Sequence, residues 1–240
     1  MADLLCEACG YVLNGLPPTG RCPECGKPIA DSIGENRIAP SWETADAKAH
    51  GFFHTTMDLI FTPTAFYRTL AVRGSLQVAR AFARIHWWIA AGLFGLTAAT
   101  HAFWYWFLLG AQQPGLNSPV IAGIFAATVI LLTIATYIAL DGITRLAARL
   151  TNWEGTYRGF RLPYDIVLRG LYYHAAHYFP VALLAAITVI GHQLLLFLQI
   201  LSPLTSDRYL YVLSAQVILS AIYLFQTYWI GMRNMMYANR

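Results

Sequence analysis

Residues 85–140 read IHWWIAAGLFGLTAATHAFWYWFLLGAQQPGLNSPVIAGIFAATVILLTIATYIAL, and these 56 positions hold no Asp, Glu, Lys or Arg. A soluble domain cannot bury that much uninterrupted apolar chain, so the stretch predicts a membrane-embedded protein. One break interrupts it at 110–119, where Gly110, Pro114, Gly115 and Pro119 mark a loop. On either side, 85–109 and 120–140 each meet or exceed the ~20 apolar residues that cross a hydrocarbon core of about 30 Å. The reading is a hairpin of two spanning helices.

Working outward, two more apolar stretches, 178–201 and 209–230, predict a third and a fourth span joined by the short 202–208 loop. Composition agrees: 57% of the 240 residues are hydrophobic and only 12% charged, with a mean hydropathy of +0.48. Soluble domains run near 25% charged. The predicted fold class is an all-α polytopic membrane protein of four transmembrane helices with a small N-terminal zinc ribbon. The expected divisions are a ribbon at 1–30, a linker at 31–50, interfacial amphipathic helices at 51–84, and the four-helix membrane domain at 85–240.

The basic residues set a topology. The segments before the first span, between the second and third, and after the fourth hold 15 of the 16 Lys and Arg; Arg208 is the exception. Basic residues stay in cytoplasmic loops. Both termini are therefore expected in the cytoplasm, with the chain crossing the cytoplasmic (inner) membrane several times. Residues 1–7 lack a basic region followed by an apolar core, so no signal peptide is expected. The net charge of +4 is spread over loops, which argues against a nucleic-acid partner.

Details follow from spacing. Ala91, Gly95 and Ala99 on the first span, and Ala122, Ala126, Gly123 and Ala127 on the second, form small-residue stripes expected to face each other. Phe52, Phe53, Met57, Ile60 and Phe61 predict an interfacial helix with His54 and Asp58 on its other side. Pro63 is placed to open the next helix. Ile143, Leu146, Ala147 and Leu150 keep helical spacing, so the second helix should continue past the bilayer. A turn is expected at 152–155.

The four cysteines form Cys6-Glu-Ala-Cys9-Gly10 and Cys22-Pro-Glu-Cys25-Gly26. Two residues between thiolates let one turn aim both sulfurs at the same ion, and two such turns supply a tetrahedral set. Each following glycine can take positive φ and leave backbone N–H groups to bond the sulfurs. Tyr11, Leu13, Leu16 and Ile29 offer only a tiny core, so metal binding would supply the folding free energy. The cofactor expected is one structural Zn²⁺; iron is the alternative, and two disulfides the other, which a reducing cytosol disfavours. The segment resembles the zinc ribbons that lead many bacterial membrane proteins, over residues 6–29.

A second resemblance rests on Thr62-Pro63, Phe66-Tyr67, Gly155, Tyr157, Phe160, Tyr172-Tyr173 and Pro180. Over roughly 50–230 these positions are similar to the Yip-type family of small polytopic membrane proteins, which usually has five spans. The resemblance implies membrane organisation through protein contacts and no shared catalytic residues.

Inside the spans, His101, His192 and Gln193 are polar candidates, as is Asp141 at the inner end of the second. Their ordinary role is hydrogen bonding between helices. The alternative for His101 and His192 is joint ligation of haem or a metal. His174 and His177, three apart on one helical face, suit an interfacial role, with metal ligation the alternative, and Gln199, Gln216 and Gln226 add amides. No nucleophile–base set, phosphate loop or paired carboxylates occur at useful spacing, so no enzyme is expected. The sequence supports a membrane-anchored interaction or membrane-organising module with the lipid bilayer and a cytosolic protein as partners, self-association being left open. The alternative is a small transporter or channel using the intramembrane His and Gln residues.

Overall fold

The computed structural model describes residues 4–33, 37–71, 74–108, 118–157, 163–198, 200 and 206–239. The described residues form eight α-helices: α1 (Ser41–Thr44), α2 (Lys48–Phe61), α3 (Pro63–Thr69), α4 (Leu76–Leu108), α5 (Ser118–Tyr157), α6 (Tyr164–His174), α7 (Tyr178–Phe197) and α8 (Ser206–Met235). Short 3₁₀ turns occupy Ile29–Ser32 and Ala175–His177. Extended pairing among the described residues is limited to isolated bridges. Most of the 110–119 and 202–208 loops lies outside the described residues, as do Arg73, Arg158, Phe160 and Gln199.

The chain divides into two compact units that interleave along the sequence. One comprises Met1–Arg84, Ile143–Ala176 and Gln226–Arg240; the other comprises Ile85–Gly142 and His177–Phe225. The division tracks chemistry. Of the sixteen basic and twelve acidic residues, only Asp141, Asp207 and Arg208 fall in the second unit.

The second unit is built inside out relative to a soluble core. Ala90, Ala91, Ala99, Ala182 and Ala186 are buried together with Thr97, Gln193 and Gln216. Ile130, Leu131, Ile138, Ile187, Phe197, Leu219 and Phe225 are each 60% exposed or more. Water would penalise that surface heavily, whereas lipid tails accept it. Among the described residues, three helical stretches are long and apolar enough to cross a membrane: Pro119–Tyr157, Tyr164–Phe197 and Arg208–Met235. The expected first span falls on α4, which has 33 residues but is not among these three. Its His86, Trp87, Trp88, His101 and Trp104, with Thr97 and Thr100, lower its hydropathy without adding a charge.

The α4–α5 hairpin forms in antiparallel register. Phe103 meets Phe125, Gly95 meets Thr133, and Trp88 stacks on Tyr137 with ring centroids 4.4 Å apart. A Cβ on Gly95 would sit 2.8 Å from the Thr133 backbone nitrogen, so the small stripe of α4 does permit close approach. The stripe expected on α5 does not answer it. Ala122, Gly123, Ala126 and Ala127 are exposed, and Thr133 and Tyr137 make the contact instead. The α7–α8 hairpin is also antiparallel, with His192 against Tyr209 and His177 Nδ1 bonded to the Tyr223 hydroxyl at 2.9 Å.

At 40 residues, α5 is about 60 Å long, twice a hydrocarbon core. Its last fifteen residues belong to the first unit. The turn expected at 152–155 is absent, because the helix runs on to Tyr157 with Thr156 Oγ1 donating back to the Asn152 carbonyl.

In the first unit, α2 buries Gly51, Thr55 and Leu59 and leaves Phe53 and Phe61 outside. Gly51 is needed because a Cβ would lie 2.5 Å from the Ser41 carbonyl oxygen in α1. The apolar stripe read from the sequence is thus only partly turned outward: Phe52 packs inward on Trp42 and Phe82. Pro63 opens α3 as expected. Phe82, Tyr173, Phe66 and Tyr67 extend the aromatic chain. Beneath it, buried Arg169 donates to the Ala71 and Ser75 carbonyls and to Glu43, which also accepts from the Tyr173 hydroxyl.

Candidate metal centre and its attachment

The ribbon is two copies of one turn, sixteen residues apart. In the first, the Cys6 N–H donates to the Tyr11 carbonyl and the Gly10 N–H to the Cys6 carbonyl, both at 2.8 Å. In the second, the Cys22 N–H donates to Lys27 at 2.8 Å and the Gly26 N–H to Cys22 at 2.9 Å. Bridges Leu5–Val12 and Arg21–Pro28 close the two turns. Gly10 and Gly26 have φ of 80° and 72°, the left-handed conformation the sequence called for. Leu13 and Ile29, with Cys6 and Cys22, form the buried centre, flanked by Leu4, Cys9 and Leu16. Tyr11 is not part of it and stands 40% exposed.

The four sulfurs lie within 4.8 Å of one another, and all four cysteines are free thiols. Cys6 and Cys25 are 3.5 Å apart at Sγ, and Cys9 and Cys22 are 3.7 Å apart. Four thiolates about 2.3 Å from a tetrahedral ion are separated by about 3.8 Å. A disulfide needs about 2.05 Å. The spacing therefore fits a metal ion held by all four sulfurs.

Backbone N–H groups already act on these sulfurs. The Cys25 N–H, helped by that of Glu24, pulls Cys22 down to about 7. Burial pushes Cys9 up to about 12 against the Tyr11 N–H. Cys25 also ends above its ordinary value: the Lys27 N–H lowers it, but burial and the Cys6 and Cys22 thiols outweigh that. A bound cation would displace the thiol protons, so its affinity rises with pH.

The sequence missed how the ribbon is held. Arg37, in the expected linker, forks onto Glu7 through Nε and Nη2, both at 2.9 Å. Its Nη1 donates to the Tyr67 and Leu70 carbonyls at 3.3 and 3.1 Å, and Nη2 to Asn234 at 3.1 Å. Those carbonyls belong to the C-terminal ends of α3 and α8, where orphan acceptors and the negative end of the helix dipole favour a cation. All five N–H donors of the guanidinium are thereby used. Asn239 completes the clasp: its amide donates to the Leu5 and Ser32 carbonyls, both at 2.7 Å, and its N–H to Glu7 at 3.0 Å. Tyr237 packs so closely that a Cβ on Gly10 would fall 2.5 Å from its ring.

Of the polar candidates expected inside spans, His101 and His192 do come together, at Tyr209. The Tyr209 hydroxyl and His101 Nδ1 are 3.0 Å apart, and the His192 ring stacks on Tyr209 at 3.9 Å and 13°. Nothing in the sequence marked Tyr209. Nε2 of His192 and Oε1 of Gln193 and Gln216 are buried without a hydrogen-bonding partner among the described residues. Asp141 is half-buried on α5 and engaged within the protein. His174 bonds Thr227 at 3.0 Å.

No known protein family, curated protein or solved structure matches this chain. The Yip-type resemblance therefore rests on its single Gly, Tyr and Pro positions alone.

Proposed function

We propose that the protein is a four-span protein of the inner membrane whose cytoplasmic part carries one structural zinc ion and serves as a docking platform, not as an enzyme. The observation that carries this reading is the Arg37 hub. It ties the Cys₄ ribbon to the ends of α3 and α8 and makes the ribbon part of a fixed surface rather than a tethered arm. Four thiolates leave no open coordination position, which fits a structural ion. Zinc is preferred to iron because a closed thiolate set at this spacing needs no redox role. Counting α4 as the fourth span keeps every basic residue but Arg208 on one side. Elemental analysis of the purified protein, with recovery of partners from native membranes, tests the reading. One zinc per chain is expected, together with a partner lost when exposed residues of the ribbon are changed. Less than about half an equivalent of metal, with the thiols oxidised, would contradict the structural site.

A second reading rests on the unpartnered His192, Gln193 and Gln216 atoms: a small transporter or channel in which they bind solute. Flux in reconstituted vesicles that disappears with His192→Ala would favour it over the platform.

A further inference from the structure

Beside the Arg37 hub lies a cavity of about 600 Å³, walled by the ribbon, α3 and the end of α8. That is ample for a small-molecule headgroup. Lys27 of the second cysteine turn, Arg68 of α3 and Arg233 of α8 all line it, and all three are exposed. None has a carboxylate partner among the described residues. Glu7 also lines the cavity, but its charge is consumed by Arg37. Asp31 is the other acid, so three cations face one acid. Converging unpaired cations in a concavity raise the local potential for anions far above that of scattered surface charge. Trp229 and Tyr237 add two aromatic walls.

We propose that this cavity binds a phosphate ester in its anionic form, through Lys27, Arg68 and Arg233. Guanidinium forks match phosphoryl oxygens and make charge-assisted hydrogen bonds to them. The ester has two sources: the headgroup of an anionic phospholipid, or a soluble phosphorylated metabolite. Trp229 and Arg233 lie four and eight residues beyond Phe225, the last residue of the nearly uncharged unit. On α8 they follow the apolar turns that end at Phe225, the order in which Trp and Arg flank a span at the headgroup level. No local pattern marks this site, because two of its three cations come from helices distant in sequence from the ribbon. Lys27 is placed by the cysteine turn itself, whose Cys22 N–H bonds the Lys27 carbonyl. The site thus gives the ribbon a ligand of its own, independent of any protein partner.

The test uses full-length, zinc-loaded protein in phosphatidylcholine nanodiscs, titrated by calorimetry with inorganic phosphate, glycerol 3-phosphate and dihexanoyl phosphatidylglycerol. Saturable binding of any of the three, weakened about tenfold or more by Arg68→Ala with Arg233→Ala, supports the site. Lys27→Gln, an exposed change that spares the helices, should weaken it too. Binding by the lipid alone assigns the headgroup; binding by glycerol 3-phosphate or inorganic phosphate assigns a soluble ester. No saturable binding, or equal weakening by Arg149→Ala, which does not line the cavity, would overturn the proposal. Zinc content measured on each variant keeps a failure here separate from a failure of the metal site.

Discussion

Replacing Arg37 with alanine should release the ribbon without emptying it. The Arg37 side chain is 5% exposed and the Glu7 side chain 15%. The change leaves the Glu7 carboxylate with the Asn239 N–H and strips the donor from the Tyr67, Leu70 and Asn234 carbonyls. Removing one partner of a buried pair costs about 3–5 kcal/mol, because the other charge stays behind. At the low end this moves the docked–undocked equilibrium by roughly 100-fold, and it is a large part of an ordinary stability of about 5–15 kcal/mol. The sulfurs and the Leu13–Ile29 centre are internal to the ribbon, so metal content should not change. Chymotryptic cleavage after Tyr237, which is packed on Gly10, reads the opening directly. If opening is fast relative to cleavage, the rate should rise by about the same factor. Arg37→Met combined with Glu7→Gln should recover part of the loss, since neither residue then leaves a charge unpaired. Equal cleavage in wild type and Arg37→Ala, with equal thermal midpoints in detergent, would show that Arg37 does not hold the ribbon.

Other outcomes follow from single contacts. Gly10→Ala and Gly26→Ala both force a side chain into positive φ, at about 1–2 kcal/mol, but only Gly10 also meets Tyr237. Transfer of the bound metal to a chromophoric chelator should therefore be faster from Gly10→Ala. Glu43→Gln leaves buried Arg169 without its counter-charge and should lower the thermal midpoint far more than a change at the exposed Glu24, both measured in detergent. Gly95→Val places atoms against Thr133 and should split the α4–α5 hairpin; cross-linking of paired cysteines at Phe103 and Phe125 would be lost, and unchanged cross-linking would count against the register. Chelation of the metal should disorder the ribbon, and the amide signals of Leu13 and Ile29 should collapse towards random-coil shifts.

What could be read from the sequence follows physical range. The two cysteine turns and the glycines after them are local, and the structure forms each as its residues dictate; of the charge-free 85–140 run it forms helix over 85–108 and 118–140, with only the second stretch part of a helix apolar enough to span. The continuation of α5 to Tyr157 followed from Ile143, Leu146 and Leu150 at helical spacing. The facing of α5 was misread because small-residue stripes say where a helix can be approached, not by what; Thr133 and Tyr137 won that face. Asn152 and Gly155 have weak helix propensity, yet forty residues of continuous helix carried them. The clasp was invisible because Arg37, Glu7 and Asn239 meet across as many as 232 residues of chain, and no local pattern marks an arginine that will cap two helix ends. Tyr209 was missed for the same reason: aromatic residues in spans are common, and only the hairpin register brings it to both histidines.

The four-span topology with a cytoplasmic metal platform is tested most directly by labelling intact cells with a membrane-impermeant maleimide. One variant carries Gln113→Cys in the loop between α4 and α5; another carries an added cysteine after Arg240. Labelling is expected at 113, with protection at the C-terminus until the membrane is permeabilised. Protection at 113 would mean that α4 does not cross, leaving three spans, and labelling at the C-terminus would reverse the orientation on which the cytoplasmic platform depends.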